Sequence, residues 1–352
     1  MKSISVTELK RFTTQALTQV GLRGDHAANA ADVLVTTDTF GVLSHGTKNL
    51  YQYILKMKAG GLDPRAEPTV EREGPAWAVL DGHDALGMLS AHKAMELAIE
   101  KAKKCGIAYV GVRNSCHFGA AGYYANMAAS RNMIGLSMSN GDPVMSVPNA
   151  RGVVIGNNPF AFAAPLGNGR SVFLDIALSN VAALKVVMAK EKGEKVPSTW
   201  LVDETGKPTD DPGGFPEHSS LQPMGAHKGY GFALMVEILA SVLTGAGMLS
   251  QIVSWNLKLP EKNGVGHAMI AVDIEQMMDL TVFESRIQHV VKELHSAPKA
   301  EGAAQIFVPG EMEWSKRERA LRENRIQLTD VMADNLKRTA ELTKTNITWL
   351  ED

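Results

Sequence analysis

Between Ile107 and Pro148 the chain writes a unit that can be assembled in few ways. An apolar run, Ile107 to Val112, breaks into the polar turn Arg113-Asn114-Ser115-Cys116-His117-Phe118-Gly119. The small-residue segment Ala120 to Ser130 reads as a helix. A second apolar run, Met133 to Met138, leads into Ser139-Asn140-Gly141-Asp142-Pro143. Strand, loop, helix, strand, loop is a βαβ unit. It sends one loop with a histidine and another with an aspartate off the carboxyl ends of two strands, where open α/β sheets bind their ligands. The spacing makes His117 a candidate to exchange a proton with a substrate, with Asp142 orienting it.

The flanks extend the same alternation. Ser5-Val6-Thr7-Glu8 has the pattern of a capping box, and Leu9, Phe12, Leu17 and Val20 follow at helical spacing. A second, alanine-rich helix runs from about Asp25 to Phe40, and a third starts at Ser44 or Thr47 and stops at Gly60-Gly61, so the first 60 residues are expected to be helical. Pro64 to Pro75 reads as a polar linker, Ala76 to Leu80 as a strand, and Leu89 to Lys104 as an amphipathic helix. Strands are expected at 160–164, 172–176 and 267–274, with a last one at 304–308. The helix Phe232 to Leu243, apolar almost all round, is expected to lie in the core. The interleaving predicts an α/β protein with a mixed sheet and helices on both faces.

Composition excludes several partners. Lys plus Arg total 36 against 38 for Asp plus Glu, and no basic block marks a nucleic-acid surface. No apolar run approaches the roughly 18 residues that span a bilayer. The two cysteines, Cys105 and Cys116, suit a reducing, cytoplasmic setting. The ten histidines are scattered, with no metal-binding spacing, so no metal is expected. No GxGxxG follows a strand, which argues against a standard Rossmann unit.

Each candidate has an ordinary reading beside the functional one. A histidine after a strand, such as His117, titrates near neutral pH and suits acid–base work, but also occurs as plain surface. His45, in Ser44-His45-Gly46 at a helix start, is placed to help hold an anion, with Lys48 adding charge, or is a passenger of an N-cap. Asp142 before Pro143 is extended, or the head of an Asx turn. Lys228, at a glycine-rich helix start with His227 and Gly229, suits a phosphate. Cys116 is an improbable nucleophile, because neighbours in extended chain point opposite ways.

Taken in order, these segments resemble one family, the type-2 malate/L-lactate dehydrogenases or sulfolactate-dehydrogenase-like NAD(P)-dependent oxidoreductases. The resemblance rests on Ser44-His45-Gly46 with Gly60-Gly61, His117-Phe118-Gly119, Asp142-Pro143, Gly156-Asn157-Asn158-Pro159-Phe160-Ala161, Asp175-Ile176-Ala177, Lys185, the stretch Pro208 to Pro212, Lys228-Gly229-Tyr230-Gly231 and Pro309-Gly310-Glu311. It covers nearly the whole chain. It implies a non-Rossmann α/β fold, a homodimer, and NAD or NADP as cofactor. It implies interconversion of a small 2-oxo acid and 2-hydroxy acid, or reduction of a carboxylated cyclic imine; a non-catalytic relative is the third alternative. His117 and His45 would line the active site, either being the proton donor, with Asp142 setting a tautomer and Ser44, Lys48 and Asn49 meeting the substrate. The cofactor would touch Gly141, the stretch Asp175, Ile176, Ala177, Leu178 and Ser179, then His227, Lys228 and Gly229, and finally Gly310 and Glu311. Residues 1–118 with 268–352 would form the helical N-terminus and core, and 119–267 the cofactor-binding region. Three positions depart from the family pattern: Asn49 stands for an Arg, and Leu178 and Leu184 for smaller residues.

Overall fold

The computed structural model describes residues 2–350, apart from the side chain of Leu184. It opens with β1 (Ser3–Ile4), α1 (Val6–Gln19), α2 (Gly24–Thr39) and, after a short 3-10 turn at Thr47–Asn49, α3 (Leu50–Lys58). Ser5 caps α1 by accepting the Glu8 N–H at 3.0 Å. The reciprocal half of the capping box is absent, because the Glu8 carboxylate pairs with Arg11 at 2.6 Å. Leu9, Phe12, Ala16 and Leu17 face inward, as their spacing predicts.

Next come β2 (Thr69–Gly74), β3 (Trp77–Asp81), α4 (Gly87–Cys105), β4 (Ile107–Ser115), α5 (Ala121–Ala129), β5 (Met133–Ser139), β6 (Phe160–Pro165) and β7 (Ser171–Ile176). They are followed by α6 (Ala183–Lys192), β8 (Leu201–Asp203), β9 (Pro208–Thr209), β10 (Ser219–Leu221), α7 (His227–Glu237) with a π turn at Ile238–Val242, and β11 (Val265–Asp273). The chain finishes with α8 (Leu280–Ser296), α9 (Glu311–Glu323), β12 (Ile326–Gln327) and α10 (Asp330–Thr343).

Seven strands form one mixed sheet in the order β2-β3-β4-β11-β5-β6-β7. Helices α4 and α5 pack on one face, and α7 with its π turn on the other. The β4-α5-β5 unit exists, but its strands are not neighbours. β11 lies between them, antiparallel to both, with Met269 opposite Val110 on one side and Ser137 on the other. The strands β3, β4, β5 and β7 therefore run one way, and β11 and β6 the other. The carboxyl ends of β4, β5 and β7 share an edge with the starts of β6 and β11, and that edge carries the His117 and Asp142 loops.

Three expectations are corrected. The stretch read as a polar linker contains β2, an edge strand paired to β3, whose residues are polar because almost all of them face water. No strand forms at 304–308; that segment runs irregularly into α9. The apolar stretch of α7 and its π turn is only half buried. Ala233, Val236 and Ala240 enter the core, while Phe232, Leu234, Ile238, Val242 and Leu243 are exposed, Leu243 at 57%. An all-apolar helix signals that both faces are covered, and here one face is open.

Two hydrophobic cores flank the site. One joins α1 to α5 and α10 to the sheet. A smaller one gathers Met138, Met145, Leu178, Val186, Leu201, Phe215 and Val236.

Candidate active site

The loop after β4 brings His117 against a turn and a helix from the N-terminal region. The Tyr53 hydroxyl on α3 lies 2.5 Å from His117 Nδ1, and the Gly119 N–H donates to the same nitrogen at 3.3 Å. Because Nδ1 accepts, the neutral ring carries its proton on Nε2. The ring stacks on Trp255 with centroids 4.5 Å apart and on His45 at 5.7 Å, and Tyr53 stacks on Trp255 at 4.9 Å. Burial, then the neighbouring His45 and His267, push the His117 pKa down to about 3.

His45 is held from its own turn. Its Nδ1 lies 2.8 Å from Ser44 Oγ, and the Asn49 side-chain amide donates to Ser44 O at 2.9 Å. Gly46 is required here, since a Cβ would collide with the Asp38 carboxyl. That buried carboxyl accepts Thr47 N–H at 3.0 Å and Thr47 Oγ1–H at 2.6 Å, and burial raises its pKa to about 7. Burial, then the charge of Lys48, lower the His45 pKa. Lys48 is itself partly buried, which lowers its own.

Behind His117 lies a packed stack of rings. Phe118 stacks between Tyr124 at 5.1 Å and His267 at 4.6 Å. His267, buried on β11, bridges Ser139 Oγ of β5 at 2.9 Å and Ser115 Oγ of β4 at 2.8 Å. Burial brings its pKa to about 3. It is a structural histidine that ties the three strands together at the site's edge.

Asp142 does not do what its position suggested. The hydrogen bonds on His117 Nδ1 come from Tyr53 and Gly119, so Asp142 does not set its tautomer. Asp142 sits beside Ser254 in the loop that carries Trp255, and burial raises its pKa against the hydrogen bond from Ser254. Its loop is anchored by a buried network. Glu237 of α7 accepts from Asn158 Nδ2 at 2.9 Å, Asn140 Nδ2 at 3.3 Å and Leu249 N–H at 2.9 Å. Asn158 Oδ1 in turn accepts the Gly141 N–H at 3.2 Å.

The segments expected to meet a cofactor lie along β7 and beyond its end. Leu178 N–H donates to Asn157 O and Met224 N–H to Leu178 O, each at 2.8 Å, and Ser179 pairs with Pro223. This sets 175–179 beside the start of α7, where His227 and Lys228 are exposed and Gly229 admits no Cβ against Met224. Asp175 accepts the Gly122 N–H at 2.8 Å, and burial raises its pKa to about 6. Ile176 and Ala177 are partly buried beside it. Pro309 O accepts the Phe173 N–H at 3.1 Å, and Gly310, at φ +96°, has Phe173 where a Cβ would be. The Glu311 carboxylate accepts Val308 N–H at 2.9 Å and pairs with His295.

Sequence reasoning missed Tyr53 and Trp255. Tyr53 reads as a core position of an amphipathic helix, and Trp255 sits in a polar loop with no local signal.

Residues 4–337 match the malate/L-lactate dehydrogenase family model. The chain belongs to the malate/L-lactate dehydrogenase family. A malate dehydrogenase of Pyrococcus abyssi is 37% identical over 86% of this chain and 85% of its own. A malate/(S)-sulfolactate dehydrogenase of Methanothermus fervidus is 34% identical over 98% and 99%. The crystal structure of an Entamoeba histolytica malate dehydrogenase superimposes with a TM-score of 0.92 at 30% identity, covering 98% of this chain and 99% of that one. The mixed, non-Rossmann sheet is thus the fold of malate dehydrogenases in this family.

Two departures from the family pattern acquire a structural meaning. Asn49, in place of an Arg, braces the Ser44 carbonyl. Leu178 points into the smaller core rather than out toward the cofactor segments, so its bulk is absorbed by packing. The Leu184 side chain lies outside the described residues.

Proposed function

We propose that the protein is an NAD(P)-dependent oxidoreductase that interconverts a small 2-oxo acid and the corresponding 2-hydroxy acid. The observation that carries this reading is the arrangement around His117. Its Nδ1 is held by Tyr53 and Gly119, which leaves Nε2 for a substrate oxygen beside His45 and Lys48.

The residues present fit a dinucleotide. The start of α7 has no side-chain cap, Gly225 and Ala226 lie at positive φ before it, and His227 and Lys228 are exposed there. A helix start of this kind receives a diphosphate. Gly141, Asp175 to Ser179, Gly229, Gly310 and Glu311 are the further cofactor positions in this reading; Leu178 and Ser179 serve through their backbone. When bound, the nicotinamide supplies or accepts the hydride at the carbon bearing the oxygen.

His117 manages the proton. An anionic substrate beside the ring favours the imidazolium and raises its low pKa toward the working range. The imidazolium donates from Nε2 to the oxygen that becomes the hydroxyl, which leaves the ring protonated on Nδ1 with Nε2 bare; in the oxidative direction this Nδ1–H tautomer, not the resting Nε2–H one, takes the proton back at Nε2. The Tyr53 hydroxyl serves both states, since it donates to bare Nδ1 and accepts from protonated Nδ1. His45 and Ser44 contact the substrate, Lys48 faces its carboxylate, and Asp142 closes the Trp255 side. Trp255 and Tyr53 exclude water.

The smaller core, whose members run from Met138 to Ala268, supports 119–267 as the cofactor-binding region. The open apolar face of α7 supports a homodimer, and two unpaired cysteines support a cytoplasmic setting.

Oxidation of NADH and of NADPH, followed by nicotinamide absorbance, tests the reading. The panel is pyruvate, oxaloacetate, 2-oxoglutarate, a bulky apolar 2-oxo acid, an uncharged ketone and a cyclic imine acid. Turnover of a 2-oxo acid is expected. Turnover confined to the ketone or the imine, or silence with the dinucleotide bound, contradicts it.

A further inference from the structure

We propose that the substrate carries a single anionic group: Lys48 meets its carboxylate, and the substituent on the far side of the carbonyl is uncharged. This rests on the oxidoreductase reading above and names its substrate class.

Few charges surround His117 among the described residues. The rings packed about it, His45, Tyr53 and Trp255, are uncharged at neutral pH; burial lowers the His45 pKa and holds that of Tyr53 well above the usual phenol range. Lys48 is the cation whose charge His45 feels. Asn49, the neighbouring polar side chain, has its amide committed to Ser44 O at 2.9 Å. Lys56, one turn beyond Tyr53, is fully buried and spends its ammonium on the carbonyls of Lys258 at 3.1 Å and Glu261 at 2.7 Å, so it pins the Trp255 loop rather than facing a ligand. Two carboxylates act on the adjacent Cys116: Asp84, which pairs with Lys262 at 3.4 Å, and Asp142, on the Trp255 side.

A carboxylate next to the carbonyl therefore finds one cation. A second anionic group, at the far end of the same molecule, finds an aromatic wall and an acidic side chain. Burying a charge without a partner is costly, and a like charge adds to the cost. An uncharged alkyl or aryl substituent packs on the same wall without either penalty. The site thus selects against dianions by what it places there as well as by what it lacks.

The test compares chain-length-matched pairs on the enzyme with saturating reduced cofactor: 2-oxobutyrate against oxaloacetate, and 2-oxopentanoate against 2-oxoglutarate. The monoanion is expected to have the higher kcat/KM in both pairs, by about tenfold or more. Lys48→Gln should raise KM for 2-oxopentanoate about tenfold while changing kcat less, and Lys48→Arg should restore most of it. Asn49→Arg should move the 2-oxopentanoate to 2-oxoglutarate ratio at least about tenfold toward the dianion. Equal or better turnover of the dianions, or an unchanged KM in Lys48→Gln, overturns the inference and leaves the oxidoreductase reading standing. Silence with all four acids while the dinucleotide binds overturns both.

Discussion

The Tyr53 hydroxyl meets Nδ1 of His117 at 2.5 Å across 64 residues of sequence, and this contact occupies Nδ1, so that Nε2 is the imidazole nitrogen left for a substrate in the proposed reaction. It joins the N-terminal helices to the sheet edge. In the proposed reaction it also makes a residue of the helical region part of the proton-transfer apparatus.

Tyr53→Phe removes that contact and leaves only the Gly119 N–H on Nδ1. A buried hydrogen bond of this kind is worth about 1–3 kcal/mol, so kcat should fall about 10- to 100-fold while the affinity for dinucleotide holds. Steady-state kinetics with a parallel dinucleotide titration measure both. An unchanged kcat would show that Tyr53 has no part in orienting the ring.

Gly46→Ala places a methyl group against the Asp38 carboxyl. Neither side can retreat, since Asp38 is buried and bound to Thr47. Overpacking should cost about 1–3 kcal/mol in chemical denaturation and displace Ser44 and His45. Wild-type stability in the variant would mean that the turn is looser than its contacts imply.

Glu237→Gln leaves one acceptor oxygen where two now receive donors from Asn140, Asn158 and Leu249, and it turns an amide toward another amide. Hydrogen bonds to a charged group are worth about 1.5–3 kcal/mol each, so a loss of a few kcal/mol is expected, with a higher substrate KM as the Asp142 loop loosens. Denaturant midpoints and KM values check the two parts separately.

His267 couples stability to acid. Its folded pKa of about 3 lies below the ordinary 6.5, so the unfolded chain binds the proton first. Its stabilisation is complete above pH 6.5 and is lost as pH falls toward 3. In His267→Asn the stability–pH slope across about pH 4–6 should be shallower by one proton, about 1.4 kcal/mol per pH unit. Asp38 and Asp175, with raised pKa values, act in the opposite direction, but both proteins carry them and their effect cancels in the comparison. Parallel slopes for the two proteins would exclude His267 as the source.

Local pattern made some of this visible and long-range packing hid the rest. The β4-α5-β5 unit was readable because apolar runs, a polar turn and small residues follow at short range, and His117 falls at the strand end where ligands gather. The insertion of β11 between those strands was not, because its partners lie more than a hundred residues away. β2 looked like a linker because an edge strand exposed to water has no apolar face. The α7 run looked like core because composition does not tell a buried face from one left open. Asp142 lies on the next loop off the same sheet edge, but Tyr53, on α3 far upstream, holds the ring. Asn49 stood out in the sequence, yet only its bond to Ser44 O shows what it does.

The most direct test of the account is His117→Asn, assayed for turnover of the best 2-oxo acid and for dinucleotide affinity. The account predicts a fall in kcat of at least about 100-fold, with dinucleotide affinity and the unfolding midpoint close to wild type. Retained kcat, or a loss confined to dinucleotide affinity, would contradict the assignment of the proton to His117.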